Sequence, residues 1–196
     1  MSHTSRFLWA IVLFALLGGG MTGCGMIGCD KKKSDSTAAA AVITAREAAF
    51  SAATDFATGS YAYAVAIGDL NGDGKADLAV ANAGASTVSV LLNTTTPGAA
   101  APSFAVKADF VTGNSPQSVA LGDLNGDKRP DLVVANFNSS TVSVLLNTTA
   151  PGAATPTFAA GADFGTGTGP ASLVLADLNK DGKLDVAVVN YNSSTM

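Results

Sequence analysis

Three short acidic segments contain the residues whose types and spacing could do chemistry. They read DLNGDGKAD, DLNGDKRPD and DLNKDGKLD, and each places Asp, Asn, Asp and Asp at relative positions 1, 3, 5 and 9. The first Asp recurs after 54 residues both times, so the segments belong to a tandem repeat. The residues at these positions are Asp69, Asn71, Asp73 and Asp77; Asp123, Asn125, Asp127 and Asp131; and Asp177, Asn179, Asp181 and Asp185.

Clustered carboxylates of this kind predict a divalent cation. If glycines such as Gly72 and Gly74 let the segment curl, carboxylates about 5 Å apart would repel by roughly 3 kcal/mol per pair at an effective dielectric of about 20. Oxygen ligands without His or Cys select a hard cation, and a flexible loop with several carboxylates favours Ca²⁺ over Mg²⁺. We therefore expect up to three Ca²⁺ ions, one in each loop.

The first half of an EF-hand loop supplies an analogy for the remaining ligand. There, position 7 contributes its backbone carbonyl, and position 7 here is Lys75, Arg129 or Lys183, whose side chains should point away. The loops are nevertheless not EF-hands, because position 12 is Val in every copy where a bidentate Glu would be required.

A turn without metal is the competing interpretation of these loops. Asn-Gly and Asp-Gly are ordinary hairpin signals, and duplication would copy a loop that has no function. However, positions 4, 6 and 8 differ between the copies, whereas the four ligand positions are identical. This difference favours metal binding. The second loop has Lys128 where a Gly would make the bend easier.

Short β-like runs surround each acidic loop and must position it. In the second copy, residues 118–121 precede the loop and 132–135 follow it, 141–146 alternate polar and apolar residues, and 158–164 form a fourth run. Four short strands separated by Gly, Asn and Pro predict one small antiparallel sheet per repeat, as in a blade of a β-propeller. The predicted fold class is all-β, with tandem four-stranded antiparallel blades.

The repeats are predicted to occupy residues 50–196, as units 50–103, 104–157 and a shorter 158–196. Propellers close with roughly four to eight blades, so this region corresponds to an incomplete propeller. A fragment of a larger propeller protein, an assembly of several copies, and open blade edges that self-associate all fit this pattern. Asp55, Asp109 and Asp163 share one repeat position and are interpreted as residues of a structural turn.

The N-terminal residues 1–23 are typical of an export signal. Arg6 precedes an apolar run of 11 residues, which is shorter than the roughly 20 needed to cross a bilayer. Thr-Gly-Cys at 22–24 resembles the lipobox of bacterial lipoproteins and makes Cys24 the candidate for acylation, with Cys29 as a second candidate. An ordinary cleaved signal and an uncleaved anchor stay open. All three interpretations export the repeats, to the cell envelope or surface or into the medium, and residues 24–49 would be a tether.

The phrase Val-Ala-Leu-Gly-Asp-Leu-Asn-Gly-Asp, followed by Asp-Leu-Val-Val-Ala-Asn, begins at Val119 and has counterparts at 65–82 and 173–190. This pattern resembles the FG-GAP/VCBS repeats of integrin-like propellers. The resemblance implies calcium in a β-hairpin loop, blades around an axis, and roles in adhesion, ligand binding or scaffolding outside the cell. It implies no single activity.

We expect an exported, calcium-stabilised, non-catalytic module that meets a protein or carbohydrate ligand at the cell surface. The only histidine is His3 and both cysteines lie near the N-terminus, so the repeats cannot assemble a Ser/His/Asp or Cys/His arrangement. A propeller-based carbohydrate-active enzyme is the alternative, but its two carboxylates would have to come from Glu47, Asp55, Asp109 or Asp163. A net charge of −4 without a basic patch argues against nucleic acid.

Overall fold

The structure is a computed structural model that describes residues 53–196, and every regular element in that range is a β-strand. The ten strands are β1 (Ala62–Gly68), β2 (Asp77–Asn82), β3 (Thr87–Leu91), β4 (Ala108–Val111), β5 (Pro116–Gly122), β6 (Asp131–Asn136), β7 (Thr141–Leu145), β8 (Ala162–Gly165), β9 (Pro170–Ala176) and β10 (Asp185–Asn190). They form sheets β1-β2-β3-β4, β5-β6-β7-β8 and β9-β10, all antiparallel. The predicted all-β class with four-stranded antiparallel blades is confirmed.

The predicted export signal at 1–23, the tether at 24–49 and the start of the repeats at residue 50 lie outside the described residues. Within 53–196, the chain forms no helix long and apolar enough to cross a bilayer.

The first two strands of every repeat form a hairpin that the acidic segment closes. In the first repeat Gly68 pairs with Asp77 directly beside the loop, and Gly122 pairs with Asp131 in the second. The third repeat pairs Ala176 with Asp185 in the same register. The predicted loop positions therefore occupy the same place in each sheet.

The apolar core lies between neighbouring sheets. Ala79 and Ala81 of β2 pack with Val88 and Val90 of β3 against a group from the second sheet that includes Val119. A second cluster forms between the second sheet and β9-β10; its buried members are Val133, Ala135, Val142 and Leu173. The alternation of apolar residues within each strand thus serves both faces of a sheet, which is what stacked blades require.

Phenylalanine pairs connect one repeat to the next. Phe56 and Phe104 have ring centroids 4.9 Å apart at an interplanar angle of 78°, and Phe110 and Phe158 repeat this edge-to-face contact at 4.8 Å and 71°. Pairs of this geometry contribute about 0.5–1.5 kcal/mol beyond the area that they bury. Phe164 occupies the repeat position of Phe110 but is 57% exposed.

A polar network with a buried centre at the asparagine and serine joins the second, third and fourth strands. The side-chain amide of Asn82 donates to the hydroxyls of Thr87 and Ser89, and Ser89 donates to the Asp109 carboxylate at 2.6 Å. The second repeat has the same bonds, through Asn136, Thr141, Ser143 and Asp163. Because a buried polar group without a partner is costly, this network specifies how the outer strands align.

The interpretation of Asp109 and Asp163 as turn residues is wrong. Both lie inside strands, β4 and β8, where they receive the serine hydroxyl of the adjacent strand. Hydrogen bonds from Lys107 and then Ser89 hold the pKa of Asp109 below its ordinary value. The partner that defines this role lies 20 residues away in sequence and is adjacent only in the sheet.

The phenylalanine pairing predicts different costs for one substitution at two equivalent positions. Phe110→Ala should lower the free energy of unfolding by about 2–3 kcal/mol, because it removes both a half-buried ring and its contact with Phe158. Phe164→Ala should cost about 1 kcal/mol or less, because that ring is mostly in solvent. Urea denaturation of both variants measures the difference. Equal costs would contradict the pairing.

Candidate metal-binding loops

The first carboxylate of each loop organises the backbone around itself. Asp69 Oδ1 accepts the backbone N–H groups of Gly72 at 2.7 Å and Asp73 at 3.1 Å, and Oδ2 accepts that of Gly74 at 2.8 Å. Three amides converging on one side chain bend the chain into a tight curl. Position 1 is thus both a candidate metal ligand and the centre of the turn.

Positions 3 and 5 bond to the backbone two residues further along. The side-chain carbonyl of Asn71 accepts the Asp73 N–H at 3.2 Å, and Asp73 Oδ1 accepts the Lys75 N–H at 2.9 Å. These are Asx turns, which Asn and Asp form readily because their short side chains reach their own backbone. The alternate acidic positions therefore build the loop without metal.

Position 9 is buried beneath the loop. Asp77 has no exposed surface, and its carboxylate accepts the N–H groups of Leu70 at 2.8 Å and Asn93 at 2.7 Å. Burial raises the pKa of Asp77; the two backbone bonds oppose that rise, and the charges of Asp73 and Asp69 add to it. The charges of Asp69 and Asp73 thus act on Asp77 as like charges.

The second loop repeats this geometry, and the third repeats part of it. The second-loop carboxylates accept the corresponding backbone N–H groups, at 2.7–3.1 Å for Asp123 and 2.9 and 2.8 Å for Asp131. In the third loop, Asp177 accepts the N–H groups of Asp181 at 3.2 Å and Gly182 at 2.9 Å. The partly buried Asp185 accepts only that of Leu178, at 2.9 Å. Positions 4 and 6 have positive φ in every copy; the residues are Gly72, Gly74, Gly126, Lys128, Lys180 and Gly182, with φ from 64° to 83°. Lys128 therefore adopts the bend at φ 68°, at a cost of roughly 1–2 kcal/mol.

The expectation that position 7 side chains point away is wrong for the first two loops. Lys75 Nζ lies 3.7 Å from Asp73 Oδ2, and Arg129 Nη2 lies 2.9 Å from Asp127 Oδ2. The carboxylate at position 5 attracts the positively charged Lys or Arg side chain at position 7. The backbone N–H of Arg129, followed by its side chain, holds the pKa of Asp127 below its ordinary value.

The types of ligand atom in each loop, all of them oxygens, fit a hard cation. Each loop supplies three carboxylates, an amide oxygen and a backbone carbonyl. Asp69 Oδ1 already accepts two N–H groups, but Asp69 Oδ2 and both oxygens of Asp77 accept only one each and keep a second lone pair. The side chains of residues 53–196 include no group of three or more His, Cys, Asp or Glu that could hold a metal ion. Calcium binding at these residues stays a prediction, and the lipidation candidates Cys24 and Cys29 lie outside the described residues.

Comparison with known protein families identifies the repeat. The family model described as FG-GAP-like repeat matches residues 69–134 and 123–188, so each match begins at the first Asp of an acidic loop. The chain belongs to the FG-GAP-like repeat family. Comparisons with curated proteins and with solved structures gave no match. The resemblance inferred from the sequence is confirmed, and FG-GAP-like repeats are generally non-catalytic modules for ligand binding.

The sequence interpretation missed how the first FG-GAP-like loop is attached to the next blade. The buried side-chain amide of Asn147 donates to the carbonyls of Leu70 and Pro130, each at 2.9 Å. The Gly152 N–H donates to the Asn71 carbonyl, and the Asn71 side chain donates to the Ala153 carbonyl at 3.0 Å. The repeated Asn and Pro-Gly signals between β7 and β8 could have indicated a contact, but not its partner.

This attachment predicts a difference between two equivalent asparagines. Asn147→Ala should lower the free energy of unfolding by about 2–3 kcal/mol, because it removes the donor shared by two carbonyls in a buried position. Asn93→Ala should cost about 1 kcal/mol, because its amide donates to the Ala76 carbonyl in an exposed position. Urea denaturation measures both costs, and a larger cost for Asn93→Ala would contradict the role of Asn147.

Proposed function

We propose that this FG-GAP-like chain is an exported, calcium-stabilised, non-catalytic repeat module that binds a ligand or supports adhesion or scaffolding at the cell surface. One observation carries the calcium part of the proposal. The same acidic hairpin is built three times, and in every copy the position 1 carboxylate accepts the backbone N–H groups of positions 5 and 6. Such repetition supports one role for all three loops.

Calcium would offset the repulsion between the carboxylates of a loop. Burial at the base of the first hairpin raises the pKa of Asp77, and the charges of Asp73 and Asp69 add to that rise, so the folded loop concentrates negative charge. Bound Ca²⁺ would supply positive charge to the oxygens of Asp69, Asn71, Asp73, Asp77 and the Lys75 carbonyl, and to their counterparts in the other loops. Backbone N–H groups of the loop already hold the side-chain oxygens of Asp69, Asn71, Asp73 and Asp77.

The residues outside the loops support a non-catalytic role. Residues 53–196 contain no His and no Cys. Asp109 and Asp163, the carboxylates outside the loops that lie in strands, bond to Ser89 and Ser143 within the polar network. These contacts are structural, and they leave a glycosidase-like pair of acids unsupported.

Calcium dependence tests the proposal directly. Adding Ca²⁺ to the full chain should raise its melting temperature, and EGTA should reverse the rise. At a free Ca²⁺ concentration of about 100 times the dissociation constant, each site should add about 2.7 kcal/mol to the free energy of unfolding. Mg²⁺ should have a smaller effect, because it demands stricter octahedral geometry. The measurement is thermal unfolding followed by circular dichroism. A melting temperature that EGTA does not change would contradict the proposal of calcium binding.

Position 5 offers a matched variant. Asp73→Asn, Asp127→Asn and Asp181→Asn together remove three charges, while Asn Oδ1 can still accept the position 7 N–H as Asp Oδ1 does. This triple variant should lose most of the response to Ca²⁺. Asp30→Asn, Asp35→Asn and Asp55→Asn remove the same number of charges outside the loops and should keep it. Equal responses in the two variants would contradict the assignment.

The export part of the proposal is supported by the apolar run at 7–17 and by the Thr-Gly-Cys sequence that ends at Cys24. Acylation of Cys24 would anchor the repeats to a membrane through lipid, with residues 24–49 as the tether. Cys29 provides a control for specific acylation of Cys24, because it lies only five residues further along the chain.

Cells expressing the chain should incorporate labelled palmitate into it. Cys24→Ser should abolish the label and release the repeats from the membrane fraction, whereas Cys29→Ser should keep both. The measurement is labelling followed by fractionation. Label that survives Cys24→Ser and disappears in Cys29→Ser would move the anchor to Cys29, and no label in the parent chain would exclude the lipid anchor.

A further inference from the structure

The two ends of the sheets differ in chemistry. The acidic loops connect β1 to β2, β5 to β6 and β9 to β10, and they define what we term the acidic end. The opposite end, the neutral end, consists of the starts of β1, β5 and β9 and the connections that follow β2, β4, β6, β8 and β10. Its segments are 60–64, 83–87, 112–117, 137–141, 166–171 and 191–195, and they contain no Asp, Glu, Lys or Arg.

The neutral end collects the tyrosines. Tyr61, Tyr63 and Tyr191 are the chain's three tyrosines, and all lie in these segments together with Phe137. Tyr63 is 63% exposed and Tyr191 is 72% exposed. The remaining residues of these segments are mainly Ser, Thr, Asn, Gly and Ala. Exposed aromatic rings among small neutral polar residues are typical of recognition surfaces.

A cavity of about 260 Å³ lies among these aromatic rings. The aromatic cavity is lined by Tyr63, Gln117, Phe137, Ala171 and Tyr191, so all three repeats contribute to it. The Phe137 and Tyr191 rings have centroids 6.5 Å apart and are tilted by 41°. The volume is below the roughly 300–1,000 Å³ of pockets that enclose drug-sized ligands, so it suits a single ring of a larger ligand.

The repeat shows that the fold does not require these side chains. Tyr63, Gln117 and Ala171 occupy one repeat position, yet each is different. Phe137 and Tyr191 share another position, which is Ala83 in the first copy. The residue immediately before that position is a buried Asn in all three copies. The repeats therefore keep the buried asparagine and vary the cavity-lining residues beside it.

The backbone holds the aromatic residues in defined places. The Phe137 N–H donates to the Ser115 carbonyl at 2.9 Å, and the Tyr191 N–H donates to the Gly169 carbonyl at 2.8 Å. Because these bonds are equivalent in the two repeats, the two rings project from the same point of adjacent sheets. Because the backbone positions of these residues are already fixed, less conformational entropy is lost when a ligand binds.

We propose that the aromatic cavity binds one ring of a neutral sugar chain. A pyranose ring has an apolar C–H face that can lie against an aromatic ring, and hydroxyls at its edge that can bond to an amide or a phenol. Tyr63 and Tyr191 supply rings and phenolic O–H groups, and Gln117 supplies both a donor and an acceptor. This inference rests on the proposed ligand-binding function and names the ligand class.

The charge at the neutral end argues against other ligands. A nucleic acid could stack its bases on the aromatic rings, but the segments of this end contain no Lys or Arg to neutralise phosphates. The same absence disfavours acidic polysaccharides. A purely apolar ligand would leave the Gln117 amide without a partner in the cavity. A neutral ligand with both apolar faces and hydroxyls matches the lining best.

Binding is tested with the purified full chain, in a detergent with a polyoxyethylene headgroup so that no sugar competes. The probes are cellohexaose, chitohexaose and mannohexaose, with oligogalacturonate as the acidic probe and a tyrosine-free neutral decapeptide as the protein-like probe. Isothermal titration gives the affinity. Because the only tryptophan, Trp9, lies in the proposed signal at residues 1–23, the exported chain would contain no tryptophan and its tyrosine fluorescence would report on the neutral end.

At least one neutral hexaose should bind, and Tyr63→Ala and Tyr191→Ala should each weaken it about tenfold or more. Tyr61→Ala is the matched control, because Tyr61 is 82% exposed at the same end but does not line the cavity; it should change the affinity less than twofold. The affinity should be the same in Ca²⁺ and in EGTA at a temperature where the chain stays folded, since the cavity is at the end opposite the acidic loops.

Four results would overturn the inference: no binding of any neutral hexaose, tighter binding of the acidic probe or the peptide, equal losses in Tyr61→Ala and Tyr191→Ala, or sugar binding that neither Tyr63→Ala nor Tyr191→Ala weakens. The last result would place the ligand outside the cavity while the proposed ligand-binding function stands. The calcium response of the melting temperature is measured separately, so failure of the cavity and failure of the proposed function are distinguishable.

Discussion

The rest of the structure depends on the capture of backbone N–H groups by aspartate carboxylates in a hairpin loop. Asp69 accepts the N–H groups of Gly72, Asp73 and Gly74, and the buried Asp77 joins the loop to Asn93, two residues after the end of β3. These are charge-assisted bonds, which are stronger than neutral ones. They also bring like charges together, which is why we propose a cation in the loop that closes each hairpin.

Packing between sheets then connects the hairpins into one unit. Alternating side chains of a strand serve two cores, and the Phe110–Phe158 pair repeats the contact made by Phe56 and Phe104 one repeat earlier. Hydrogen bonds from Asn147 to Leu70 and Pro130 connect one acidic loop to its neighbour. The division into an acidic end and a neutral aromatic end follows from this arrangement, because every repeat has the same orientation.

Much of the fold could be predicted because the signals are local and occur three times. Alternation at 141–146 and turn residues around each loop indicate strands and hairpins without reference to distant residues. The loop positions were also predictable, since Asp and Asn at alternate positions bond to amides only two to five residues away. Two details failed: the side chains of Lys75 and Arg129, and the turn assigned to Asp109. The Lys75 and Arg129 side chains are held by the carboxylate at position 5, and Asp109 is bonded to Ser89 of the adjacent strand. The spacing of residues shows neither interaction.

The sequence by itself determined the all-β class, the 54-residue repeat and the acidic residues of every loop, because hydrogen bonds and periodicity within a few residues specify them. Only the tertiary structure decided that Asp77 is buried against Asn93, that Asp109 completes a network with Ser89, and that Tyr63, Gln117 and Tyr191 line one cavity. The members of that cavity lie up to 128 residues apart and come together only when three sheets pack side by side. Contacts of that separation depend on the stacking of the blades, which no local pattern specifies.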